Sequence, residues 1–246
     1  MRARYLVLFM VLLGELSCGA ARKFDSAPPT PFLNIPGVDR SAKIENLPFD
    51  HSWIKAGFNG EKYKKLIIAP VSTAYLSPDN QLESTSPFVP TKEDYDKEVK
   101  LLAEFTAQAF TKVFQEDSDK RVQVVQQPGS DTLVLELALT QVVFGHPGAY
   151  AGSFASPLPG TGVIVSAITE PLVAFEARIK KSDTGEVVAT FADRRTPTMR
   201  IVDFNQFTAV SPCRDIVSTW SELVLKVFTE GKLKKVRASW FSFSLW

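Results

Sequence analysis

Apolar and polar positions along the chain fall into a few clear periods. Val173, Phe175, Ala177 and Ile179 alternate with Leu172, Ala174, Glu176, Arg178 and Lys180; after Ser182-Asp183-Thr184-Gly185, Val187, Ala189 and Phe191 alternate with Val188, Thr190 and Ala192. A period of two marks strands with one buried face. The interruption suits a type I turn closed by a glycine in the left-handed region. Such a loop pairs Ile179 with Ala189 and Ala177 with Phe191. A one-residue slip would turn one strand's apolar set to water, which fixes the register. Leu133, Leu135, Leu137 and Leu139 predict another half-buried strand running to Val143, and 122–126 a short one before the turn at 127–130. A strand is expected over 66–74, whose run from Leu66 to Val71 is continuously apolar, as in a central strand covered on both faces. Pro70 interrupts it, because proline cannot donate to a ladder.

Two stretches carry the helical period. Tyr95, Val99, Leu102, Thr106, Ala109 and Val113 recur at steps of three and four, with Leu101, Phe105 and Phe110 widening the stripe. They predict a helix over 92–116, capped by Thr91 with Asp94 three residues later. Ser211-Pro212 opens a second helix over 212–230, with Cys213, Ile216, Val217, Trp220, Leu223, Val224 and Val227 on one face. Together the elements predict an α+β fold: a mainly antiparallel sheet of about five strands with two long helices packed on it, in the order β-α-β-β-(loop)-β-β-α.

The first residues change the picture. Arg2 and Arg4 precede a short apolar run from Tyr5 to Leu13, which has the form of an export signal and is too short to span a membrane comfortably. Leu16-Ser17-Cys18-Gly19 resembles the lipobox of bacterial lipoproteins, in which cleavage precedes a cysteine that is then acylated. Glu15 departs from it, since that position is normally aliphatic. The resemblance implies a signal peptide over 1–17, lipidation at Cys18, and membrane lipid as the first partner. Gly19, in place of Asp, is similar to lipoproteins passed to the outer membrane. Ordinary secretion, with cleavage near Ala20 or Ala21, is the alternative. Residues 18–45 hold Pro28, Pro29, Pro31 and Pro36 without an apolar period and read as a lipid-anchored flexible tether. A single domain follows over 46–231, then a basic and aromatic tail over 232–246.

Composition narrows function further. Formal net charge is +1, and losing Arg2, Arg4 and Glu15 takes it to zero, so nothing draws nucleic acid to the chain. The two cysteines give no disulfide framework; a Cys18–Cys213 bridge needs an unacylated Cys18, and Cys213 on an apolar helix face reads as a small buried hydrophobe. The two histidines, His51 and His146, form no metal-binding pair, and neither a nucleophile elbow nor a phosphate loop occurs. No catalytic, cofactor-binding or metal residue is therefore expected, and no enzyme. Asp50-His51-Ser52 is triad-like only on paper, and Asp193-Arg194-Arg195 reads as an ion-paired, solvated strand end. The stretch from Gly145 to Gly162 is rich in glycine, proline and alanine, with Tyr150, Phe154 and Leu158 spaced between them. Long loops of this kind are often contact surfaces; Trp240, beyond the basic run 232–237, is a further contact candidate.

The signal with Cys18, the strand Tyr63–Val71, the helix after it, the leucine strand and the stretch from Phe175 to Arg195 together resemble domain-of-unknown-function family 3313, uncharacterised bacterial lipoproteins. The resemblance covers about 46–231 and implies no catalytic or binding residue. The resulting expectation is a cell-envelope lipoprotein facing the periplasm, with a non-enzymatic binding or scaffolding role and an envelope protein as partner. Its rivals are a soluble secreted ligand-binding module and an envelope hydrolase.

Overall fold

The computed structural model describes residues 27–45, 47–77, 91–144, 171–196 and 211–229. Cys18, Tyr150, Phe154, Leu158, Trp240 and the tail 232–246 lie outside the described residues. The elements are β1 His51–Ile54, β2 Lys65–Ile68, α1 Lys92–Gln115, β3 Gln123–Val124, β4 Thr132–Val143, β5 Leu172–Lys181, β6 Val187–Arg195 and α2 Ser211–Thr229. Among the described residues they make an α+β fold with a six-stranded sheet in the order β1-β6-β5-β4-β2-β3. The pairs β1–β6, β6–β5 and β5–β4 are antiparallel, whereas β4–β2 and β2–β3 are parallel.

The central hairpin follows from its sequence pattern. Ile179 pairs with Ala189 and Ala177 with Phe191. Gly185 closes the turn at φ +70°, a conformation that a side chain disfavours. Val173, Phe175, Ala177 and Ile179 face the helices together with Leu133, Leu135, Leu137 and Leu139 of β4, and all are buried. Thr91 caps α1, its hydroxyl accepting from the Asp94 N–H at 3.2 Å. Tyr95, Val99, Leu102, Thr106, Phe110 and Phe114 form the buried face of α1, while Leu101 is exposed and Ala109 and Val113 are half-buried. On α2, Cys213, Ile216, Val217, Trp220, Leu223 and Val224 are buried, and Phe228 meets Phe114 of α1 edge-on at 5.2 Å.

Three features differ from the sequence expectation. First, β1 is a sixth strand, too short for its alternation to be read from the sequence. Second, β2 ends at Ile68 rather than near Ala74, and Leu66 is its one fully buried residue. Pro70 breaks the ladder; contact resumes beyond it through a Ser72–Ala138 bridge, with Ser72 N–H donating to Leu137 O at 2.8 Å. Third, β4 is covered on both sides: Ala138 and Thr140 on the face away from the helices are also buried.

That second face is covered by residues assigned above to the tether. Phe32 and Leu33 are buried against Ala138, with Tyr75 and Ala192 packed around them. Four prolines were the sign of an extended linker, yet three of them, Pro28, Pro29 and Pro31, lie in a docked segment, 27–35. Pro31 starts a 3-10 turn, Pro31–Leu33, in which its missing N–H is no loss. Prolines also restrict the undocked chain, so ordering it costs less entropy.

Candidate functional site

Several described ends of the chain, those at 77, 91, 144, 171, 196 and 211, converge on one end of the sheet, where β4 and β6 stop and β5 starts. Ser77 N–H donates to Thr140 O at 2.9 Å, bringing the segment after β2 there. The Tyr95 hydroxyl donates to Val142 O at 3.0 Å, and the Cys213 thiol lies 3.8 Å from Val143 O, so both helices begin there as well. Burial pushes the Tyr95 hydroxyl up to about 12, and the Cys213 thiol also to about 12. Cys213 is thus a buried hydrophobe with a reluctant thiol, as its place on the helix face suggested.

Asp193 is the main departure from the sequence reading. It is not a solvated strand end but a buried carboxylate, 6 % exposed. The Trp220 indole N–H donates to its Oδ2 at 2.7 Å and Arg195 Nε to the same oxygen at 2.6 Å, while the Asp50 N–H donates to Oδ1 at 3.3 Å. Asp50 returns the contact: its Oδ2 accepts from the Arg194 N–H at 3.2 Å. Arg195 reaches on to Pro48 O at 3.0 Å. This network fastens the segment before β1 to the end of β6 and to α2. Burial raises Asp193 above the ordinary carboxylate value, partly opposed by Arg195 and the indole.

On the opposite face sits a second buried carboxylate, Glu176. Thr30 caps it twice, with its N–H donating to Oε1 at 2.7 Å and its hydroxyl to Oε2 at 2.5 Å. The same hydroxyl accepts from the Phe32 N–H at 3.1 Å. Two positions along β5, the Arg178 guanidinium lies 4.4 Å from the Phe32 ring centroid, and Nη1 donates to Phe32 O at 3.2 Å. Arg178 and Lys180 also pair with Glu136. Neither polar cluster was visible in the sequence, because each joins residues more than twenty positions apart.

Burial raises Glu176 above its ordinary 4.5, against the lowering by Thr30 and Arg40. The folded chain therefore holds this proton more tightly than the unfolded chain. The stabilising contribution is complete below 4.5 and is lost as pH rises through the folded value. Glu176→Gln keeps an acceptor for Thr30 but does not ionise. Its melting temperature relative to wild type should rise between pH 4 and pH 7. A difference that is flat or falling over that range would contradict the assignment.

Between these clusters lies a cavity of about 10 Å³, lined by Ala27, His51, Thr140, Glu176, Ala192 and Asp193 among others. It has room for about one water molecule and is far too small for a metabolite. A register shift between Leu139 and Gln141 places Thr140 at this point. His51 Nδ1 is buried without a partner among the described residues. Strand alternation sends His51 and Ser52 to opposite faces, and the Ser52 hydroxyl accepts from the Ile44 N–H at 2.9 Å. Asp50, His51 and Ser52 therefore do not converge. Among the described residues no three His, Cys, Asp or Glu side chains could hold a metal ion. No helix among them is long and apolar enough to cross a membrane.

The chain belongs to the family described as protein of unknown function DUF3313, whose model matches residues 46–224. No curated protein matches it. Solved structures that align with the chain include three from bacteria, each at a TM-score under 0.5. The PelC dodecamer from Paraburkholderia phytofirmans is 12 % identical, at TM-score 0.36, over 70 % of this chain and 95 % of that one. A minor lipoprotein from Acinetobacter baumannii is 13 % identical, at TM-score 0.26, over 68 % and 94 %. A lipoprotein from Neisseria meningitidis is 12 % identical, at TM-score 0.21, over 66 % and 96 %.

Proposed function

We propose that this chain is a cell-envelope lipoprotein, acylated at Cys18 and held at the periplasmic face of the outer membrane, which acts by binding or scaffolding an envelope partner. The observation that carries the reading is the apolar run Tyr5–Leu13 followed closely by Leu16-Ser17-Cys18, where an acylated cysteine would follow a signal peptide. Burial at about 0.8 kcal/mol per methylene makes an anchor of two or more acyl chains effectively permanent. A non-enzymatic role is supported by how the reactive groups are employed. Asp193 and Glu176 are spent on Trp220, Arg195 and Thr30, and Cys213 is sealed against Val143. Tyr150, Phe154 and Leu158 are the proposed contact residues, in a stretch that leaves the sheet at Phe144 and returns at Pro171. Trp240 is proposed as a further one. Glu15 favours a second reading, a secreted soluble module cleaved near Ala20, because a charged side chain fits poorly in an apolar peptidase groove.

Labelled palmitate with membrane fractionation separates the two. The wild-type chain is expected to carry label and sediment with membranes, and Cys18→Ala to lose both. Unlabelled wild-type protein in the soluble periplasmic fraction would replace this reading with the second.

A further inference from the structure

The docked segment 27–35 has a direction. Ala27 lines the cavity beside Phe175, Glu176 and Asp193, the partner of Phe175; Thr30 binds Glu176, and Phe32 lies under Arg178. Those positions advance along β5 from its start towards the hairpin turn. The segment therefore runs with β5, and Ala27 is its end nearer to where β4 and β6 stop. From Cys18 to Ser26 there are nine residues, none of them proline. Fully extended they reach at most about 30 Å, and as a random coil they average about 17 Å. Were the whole of 18–45 free, the reach would be about 90 Å and no orientation would follow. By contrast β5 is ten residues long, so the two ends of the sheet stand about 33 Å apart.

We infer that the docked segment orients the domain on the lipid surface, with the end that bears Ala27, Phe144, Pro171, Thr196 and Ser211 towards the bilayer and the hairpin turn at 182–185 away from it. The inference rests on acylation of Cys18, as proposed above. The docking contacts make the orientation a property of the fold: Glu176 and Arg178 grip Thr30 and Phe32 from successive positions on one face of β5. Arg22 and Lys23, between Cys18 and Ala27 in the sequence, add charge suited to an anionic headgroup layer. The surface next to the membrane is then the end where β4 and β6 stop and β5 starts, and contacts made there are with lipid.

Two single labels test this on the acylated full-length chain, purified from membranes and reconstituted into phosphatidylethanolamine–phosphatidylglycerol vesicles with a headgroup-bound energy acceptor. Lys92→Cys marks the first turn of α1 and Asp183→Cys the hairpin turn, both exposed positions. Cys213, buried and with its thiol pushed up to about 12, stays unlabelled. Transfer is expected to be stronger from position 92 than from position 183. An insertion of about twenty Gly and Ser residues after Ser26, which leaves every docked contact in place, should abolish that difference. Equal transfer from the two labels in an acylated chain, stronger transfer from position 183, or a difference that survives the insertion would each overturn the orientation. A chain shown by palmitate labelling to be unacylated overturns the anchor itself, and the orientation with it.

Discussion

Replacing Asp193 with alanine is expected to lower the free energy of unfolding by about 3–5 kcal/mol, the range for removing one partner of a buried charged pair. The expectation follows from what is left behind. The Trp220 ring is 1 % exposed, and its N–H has Asp193 as acceptor at 2.7 Å. Arg195 loses the carboxylate at 2.6 Å, and the Asp50 N–H loses the acceptor that ties it to β6. Asp193→Asn keeps an oxygen for the indole and should cost less, about 1–2 kcal/mol. In the Asp193→Ala background, Trp220→Phe should be cheaper than in wild type, since the hydrogen bond it removes is already gone. Urea unfolding of the five chains (wild type, the three single variants and the double variant) measures all three differences. A cost for Asp193→Ala below about 1 kcal/mol would show that the network does not hold β1, β6 and α2 together.

Phe32→Ala is expected to act differently, with a large effect confined to one segment. Truncating a buried phenylalanine commonly costs about 3 kcal/mol or more, and Phe32 is 4 % exposed between Tyr75 and Arg178. Residues 27–35 can leave the face of the sheet without unfolding it, so the cost should appear as local opening. Amide exchange at Phe32, Leu33 and Asn34, whose N–H groups bond to Thr30 and Pro31, should accelerate by roughly a hundredfold, the equivalent of about 3 kcal/mol. The midpoint of global unfolding should move less than in Asp193→Ala. Unchanged exchange at these amides would mean that docking of the segment does not depend on the aromatic contact.

Where local pattern decides the structure, the sequence was readable. The hairpin register followed from the alternation of Ala177 and Ile179 with Ala189 and Phe191, and the start of α1 from Thr91 and Asp94. Where structure is decided by distant partners, it was not. Asp193 looks like one charge in a polar triplet until Trp220, on another element, supplies a buried donor. Thr30 and Phe32 look like linker residues until Glu176 and Arg178 are set side by side on β5 to receive them. Prolines in that segment carried an ambiguous signal, because the stiffness that suits a spacer also suits a strap laid along a sheet. β1 escaped because its four residues are too few for a period to emerge from their neighbours. Of the candidate site, neither the Asp193 nor the Glu176 cluster was legible, while Cys18 and the stretch 145–162 that the sequence singled out lie outside the described residues.

The proposed place of the domain beside a bilayer depends on a covalent bond at Cys18. Intact-mass and peptide mass spectrometry of the mature chain from membranes measures that bond directly. The account predicts a first residue Cys18 carrying acyl mass, with nothing upstream of it. A mature chain that begins at or beyond Gly19, or that retains an unmodified Cys18, would contradict it.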